Sequence, residues 1–310
     1  MRSDWRPRLD LMAAAALFST GGAFIKACRL APLQIAGFRS LIAAAFLLAV
    51  WPASRRGFTR GSLLFGLFYA GTLACFVSAN KFTTSASTIF LQSTAPLWVL
   101  LLSPLVLKES VRRVDLLFMG ALAAGLAFCF KDALDAQHAA RQPATAPRPL
   151  LGNALAVASG VLWASTLVGL RWFGRRSHGA GGLDRGAAAS VVAGNLTCFA
   201  ACGLVSLALG EPYFSGASAA SATDLGSLLF LGCLQVGLGY VVLTRGMRKV
   251  AALEASLLLL VEPVFNPLWT FLVHGERPGG FALAGGGVIL GATALHALVA
   301  PPRAAELVPS

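Results

Sequence analysis

The chain has 310 residues, of which 12% are charged and 56% hydrophobic, and its mean hydropathy is +0.72. A soluble protein carries about a quarter charged residues, so water is excluded as the main solvent. The net charge of +12 would suit a nucleic-acid partner, but the Lys and Arg residues sit in short gaps between apolar blocks with no basic, aromatic-interleaved stripe, which excludes nucleic acid as well.

A hydrocarbon core roughly 30 Å thick needs about 20 apolar residues of helix. Ten blocks of about that length follow one another: Leu9 to Ala27, Leu33 to Trp51, Ser62 to Ala79, Ser85 to Leu107, Val114 to Phe130, Leu150 to Leu170, Ala187 to Leu209, Leu225 to Thr244, Ala252 to Val273 and Phe281 to Val299. Even with Arg2 to Ala27 read as a signal peptide, nine blocks remain. Lipid offers the backbone no hydrogen-bonding partner, and these runs lack the period-2 alternation of a barrel strand. The expected fold is therefore all-α and integral to the membrane, with ten transmembrane helices.

Between the fifth and sixth blocks lies the one long polar connection, Lys131 to Pro149, charged early and proline-rich late, which reads as a linker. It divides the chain into a half at 9–130 and a half at 150–299, each with five spans. Because five is odd, the second half enters the membrane from the opposite side. With both termini cytoplasmic, seventeen Lys and Arg residues fall on the inner side and six outside (Arg29, Lys81, Lys131, Arg141, Arg148 and Arg277), as the positive-inside rule asks.

Sliding the chain on itself by 167 residues aligns Thr84–Phe128 with Ala251–Leu295, and Pro96, Glu109 and Gly120 fall on Pro263, Glu276 and Gly287. Apolar matches prove little, whereas this Pro-x12-Glu-x10-Gly spacing is specific. A weaker echo pairs Ala16-Leu17-Phe18-Ser19 with Val161-Leu162-Trp163-Ala164. The two halves thus read as inverted repeats.

On these residues the chain resembles the drug/metabolite transporter superfamily, and within it the ten-helix exporters with paired EamA domains. The likeness runs from Leu9 to Val299 and includes Pro32 and Arg39, Thr84-Ser85-Ala86-Ser87, Pro96 and Glu109, then Glu262-Pro263 and Gly275-Glu276. The family's frequent tryptophan in the first span is Phe18 here, while Trp163 stands at the matching place in the second copy. The resemblance implies a secondary carrier that exports a small metabolite such as an amino acid by alternating access, not an enzyme. No GxxxxGK[ST] loop is present for nucleotide.

The candidate site residues are those that hydrocarbon penalises. Pro96 and Pro263, near the centres of their spans, each lack an N–H and are expected to bend or break the helix, either beside a substrate or as a packing kink without ligand contact. Glu262, a carboxyl at mid-span costing about 2.5–3.5 kcal/mol on insertion scales, is a candidate for proton coupling or for pairing a substrate ammonium, or else a neutral interhelical hydrogen bond. Arg39 lies about two turns inside its span, stays charged, and must pair, snorkel or meet an anionic substrate group. Among the other polar groups at depth, Gln92, Trp163 and Gln235 are the chosen candidates, ahead of Ser93, Thr94, Trp98, Asn195, Tyr240 and Asn266. Lys26 reads as a snorkelling anchor, Glu254 as a solvated end residue or gate, and Glu109 and Glu276 as helix-end caps.

Six cysteines without a CxxC pair and four scattered histidines suggest neither a metal nor another cofactor. Gly287-x3-Gly291 suits packing within the monomer as well as a homodimer. The Ala- and Arg-rich, Lys-poor composition fits a GC-rich bacterial genome, so the expected location is a bacterial cytoplasmic (inner) membrane. The expected partners are the lipid bilayer and a small-molecule substrate. Two rival readings are a lipid-modifying membrane enzyme, which needs converging acid, base or nucleophile groups, and a passive channel, which needs rings of like residues; neither pattern is visible.

Overall fold

The computed structural model describes residues 5–299 apart from 56–57, 59, 107, 109–110, 139–143, 175–179, 215–219, 248–249 and 251. Glu109 and the side chain of Glu254 lie outside the described residues. Among those described there is no strand, and ten helices are long and apolar enough to cross a membrane. These are α1 Arg6–Ala27, α2 Pro32–Val50, α3 Leu63–Phe82, α4 Ser85–Val106, α5 Arg113–His138, α6 Pro149–Val168, α7 Ala188–Ala208, α8 Ala222–Met247, α9 Leu257–His274 and α10 Gly280–Val299.

Most of their ends fall within a few residues of the hydropathy blocks; the larger departures are at the start of α9, at the helix containing α7, which begins at Ala180, and at the end of α5. Helix α5 continues to His138, so the polar connection begins as helix. Lys131 and Asp135, one turn apart, pair at 2.9 Å on that extension, which suits a helix leaving the hydrocarbon for water. Helix α8 starts earlier than hydropathy alone suggests because Ser221 and Asp224 form a reciprocal cap: each side chain accepts from the other's backbone N–H.

The packing follows a pseudo-two-fold. Helices α2 and α7 pack together, as do α5 and α10, and each pair exchanges with itself when the halves are swapped. Helix α3 packs on α6 and α7, while its counterpart α8 packs on α1 and α2. Helix α4 lies on α6, and its counterpart α9 lies on α1. Each half therefore buries its first helix against the third and fourth helices of the other half, and neither half closes a core by itself.

The same symmetry extends to the interruptions. Helix α4 consists of Ser85–Gln92 and Ala95–Val106; in the second half, Ala252–Leu259 is followed by Val261–His274. Each first segment ends four residues before a proline, at Gln92 before Pro96 and at Leu259 before Pro263. Those are the carbonyls a proline N–H would have bonded. The turning residues have nearly the same backbone, Ser93 at φ −64°, ψ −6° and Leu260 at φ −63°, ψ −12°. Farther on, Gly275 ends α9 in the left-handed region at φ 65°, and its repeat counterpart Lys108 takes φ 57° without being glycine.

Large apolar side chains line the outside. In α9, Val264, Leu268 and Leu272 are exposed one turn apart, whereas Pro263, Asn266 and Thr270 are buried on the other side. That division is what a helix between lipid and a bundle requires. Gly285 and Gly125 let α10 and α5 approach backbone to backbone. Among the described residues, nothing lies within 4 Å of where a side chain would start at Gly287 or Gly291.

Candidate functional site

Polar and aromatic side chains from seven helices meet at the centre of the bundle. Two further interruptions help to gather them. Helix α1 breaks at Thr20, where Ser19 and Thr20 turn their hydroxyls back onto the carbonyls of Ala16 and Leu17 at 2.7 and 2.6 Å. Gly21 follows, and a side chain there would collide with the Gln235 amide. Helix α8 widens to i→i+5 hydrogen bonding over Phe230–Leu238, a loosening that carries Gln235 inward.

Arg39 of α2 is 1% exposed. Its one hydrogen bond among the described residues runs from Nη1 to Gln235 Oε1 at 3.5 Å, and its Nε has no partner. No Asp or Glu among the described residues lies at ion-pairing distance from it. Tyr69 of α3, Cys198 and Cys202 of α7, and Tyr240 of α8 are the groups close enough to feel its charge. The Gln235 amide completes its bonding by donating to the Phe18 carbonyl at 3.4 Å.

A line of aromatic rings crosses the same region. Phe18 meets Tyr240 edge-on at 5.3 Å, Tyr240 meets Tyr69 edge-on at 5.5 Å, and Tyr69 meets Trp163 at 6.2 Å. Phe18 and Trp163 are repeat counterparts, so the ladder reads the same from either half, with the two tyrosines at its middle.

Glu262 stands two residues past the break in α9, only partly shielded from open space, and has no hydrogen-bond or ion-pair partner among the described residues. Tyr240 lies within electrostatic range of both Glu262 and Arg39. One turn along α9, both amide atoms of the buried Asn266 are unpartnered as well, against Gly22 of α1. Among the described residues the centre thus holds one cation, one carboxyl and several unspent hydrogen-bonding groups between aromatic walls.

Of the residues chosen from sequence, the fold brings Arg39, Gln235 and Trp163 into this cluster, with Glu262 linked to it through Tyr240. Gln92 spends its amide elsewhere, donating to Ser159 Oγ at 2.8 Å and so tying α4 to α6. Tyr240 and Asn266, ranked behind the chosen candidates, also reach the centre, whereas Tyr69, Cys198 and Cys202 were not anticipated, since nothing in their spans marks what faces them.

At the end of the bundle opposite the termini, polar links join the halves. Lys26 does not snorkel as expected. Its ammonium turns inward to Glu276 at 2.8 Å and to the carbonyls of Thr83 and Thr145 at 3.0 and 2.6 Å, with both ionic side chains buried. Glu276 in turn accepts from the Ser85 N–H at 2.7 Å, capping α4 rather than the helix that follows it. The Arg29 N–H donates to Asp224 at 2.6 Å, and Gln34 donates to the carbonyls of Pro212 and Tyr213 at 2.9 Å each. Burial there pushes the Cys28 thiol up to about 11, so it stays protonated and unreactive.

Paired five-helix halves, matched breaks and a shared polar centre are the architecture of a carrier, and the sequence match agrees. Residues 9–131 and 150–298 each match the EamA-like transporter family. The chain belongs to that family. No curated protein matches the sequence. A solved crystal structure aligns over 96% of this chain and 98% of its own at TM-score 0.58 and 21% identity, a likeness that shows the fold alone. As an EamA-like, DMT-type transporter the protein is a multi-pass membrane protein.

Proposed function

We propose that this EamA-like protein is a secondary active carrier that exports a small metabolite, such as an amino acid, across a bacterial cytoplasmic membrane by alternating access. Both termini face the cytoplasm, as the distribution of Lys and Arg supports. The observation that carries the reading is the pair of matched breaks in α4 and α9, one of which leaves a carboxyl, Glu262, beside an interrupted helix at membrane depth. Interrupted helices at an inverted-repeat interface are where carriers bind substrate and coupling ion.

In this reading the polar links around Lys26 and Glu276 close the external end, and the central cluster is reached from the cytoplasm. Export requires those links to part while the cytoplasmic end closes. Glu262 takes up a proton in one orientation and yields it in the other, coupling the cycle to the proton gradient. The Lys131 to Pro149 stretch joins the two halves.

The experiment is flux from proteoliposomes loaded with a mixed amino-acid pool, with an imposed pH jump and a Glu262→Gln variant in parallel. The expected result is flux of one or more amino acids that responds to the proton gradient in the wild type and loses that response in the variant. Unchanged gradient dependence in Glu262→Gln would remove the coupling role; no flux from a broad pool would remove the carrier reading.

A further inference from the structure

Arg39 is an unfinished interaction. A guanidinium has five N–H donors, yet this one has a single long hydrogen bond to a neutral amide and an Nε with no acceptor, at 1% exposure. A charge buried in such a place is costly unless an anion joins it. The chain provides none among the described residues, since the neighbouring groups are phenols, thiols and an amide.

We propose that the Arg39 guanidinium, steadied by Gln235, receives the carboxylate of the transported metabolite, whose apolar or aromatic body lies along the Phe18–Tyr240–Tyr69–Trp163 ladder. The inference rests on the carrier reading above and adds the residue that recognises the substrate and the group it recognises. The planar fork of arginine matches a carboxylate in two parallel hydrogen bonds. One guanidinium neutralises one negative charge; a phosphate dianion would retain a net charge in a low-dielectric site that already holds the Glu262 carboxyl within range of Tyr240. A monocarboxylate is therefore favoured over a phosphorylated metabolite. The aromatic rings supply area for an apolar body and no further charge. Gly21 keeps the Gln235 amide seated, because any side chain there would displace it.

The test uses purified full-length protein in detergent, with L-leucine, L-phenylalanine and phenylacetate as probes, each beside its carboxamide, and with calorimetric titration as readout. Expected is binding of at least one acid about tenfold or more tighter than its amide, with the preference lost in Arg39→Gln and partly kept in Arg39→Lys. Equal binding of acid and amide, binding of no acid, or an acid preference that survives Arg39→Gln would overturn the assignment. Should Arg39→Gln fail to fold, the wild-type acid-to-amide ratio decides alone. Flux of the same probes from proteoliposomes separates the two claims. Flux of acid and amide alike leaves the carrier standing and removes the Arg39 role; acid binding through Arg39 without flux does the reverse.

Discussion

At the scale of single residues, the ionisable groups within the spans divide by whether the chain satisfies them. Lys26 and Glu276 are satisfied, by each other, by two carbonyls and by the Ser85 N–H. Removing one partner of such a buried pair leaves the other charge stranded, at a cost of about 3–5 kcal/mol. Lys26→Met should therefore lower the melting temperature in detergent more than the double variant Lys26→Met with Glu276→Gln, which removes both charges while keeping an acceptor for Ser85. A double variant less stable than the single one would show that the pair is not coupled in this way. Arg39 and Glu262 are not satisfied within the described chain, and their substitution should register in binding and gradient dependence more than in folding. Depth and residue type made both conspicuous in the sequence. The Lys26 pairing was hidden there, because hydropathy reports how deep an ammonium lies but not that its carboxylate waits 250 positions along the chain.

At the scale of the element, the helix ends and breaks carry the repeat. Lys108 occupies the left-handed cap that its counterpart Gly275 fills without strain, and a side chain in that region costs roughly 1–2 kcal/mol. Lys108→Gly should thus stabilise the protein by about 0.5–1 kcal/mol, part of the gain being offset by the extra freedom of glycine in the unfolded chain. A thermal melt checks this, and a lowered melting temperature would count against the cap. Pro263→Ala and Pro96→Ala restore N–H groups facing the Leu259 and Gln92 carbonyls. Both should raise the melting temperature and, since the proposed cycle uses the breaks as hinges, slow flux; flux at the wild-type rate in both would make the breaks mere packing kinks. Spans of some 20 residues and prolines inside them can be read from sequence because each rests on local chemistry. The α1 break has no proline to announce it, and the widened turns of α8 depend on packing against α2. The aromatic ladder escaped for another reason. Phe18 and Trp163 are 145 residues apart, Tyr69 and Tyr240 are 171 apart, and Pro96 and Pro263 are 167 apart, so unequal loops hide the correspondence from any single shift of the chain.

At the scale of the whole molecule, two halves that exchange their first helices form one interface around a shared centre, and it is this interface that the proposed alternating-access cycle requires to rock. The interface is polar and cross-linked at the end opposite the termini, where the links join residues of the first half to residues of the second. In the proposed cycle these links are what hold that end shut. The inverted relation was legible early, from an odd number of spans on each side of a polar connection and one specific spacing repeated. Which end carries the cross-half links was not, because it depends on side chains meeting across the two halves.

The most direct measurement clamps that closed end. With the six native cysteines replaced, Lys26→Cys and Glu276→Cys are joined by a short linker cleavable with reductant, and exchange of a carried metabolite is followed in proteoliposomes. Alternating access predicts that exchange stops while the linker is intact and returns on reduction. Exchange continuing at the unlinked rate through the clamped protein would contradict it.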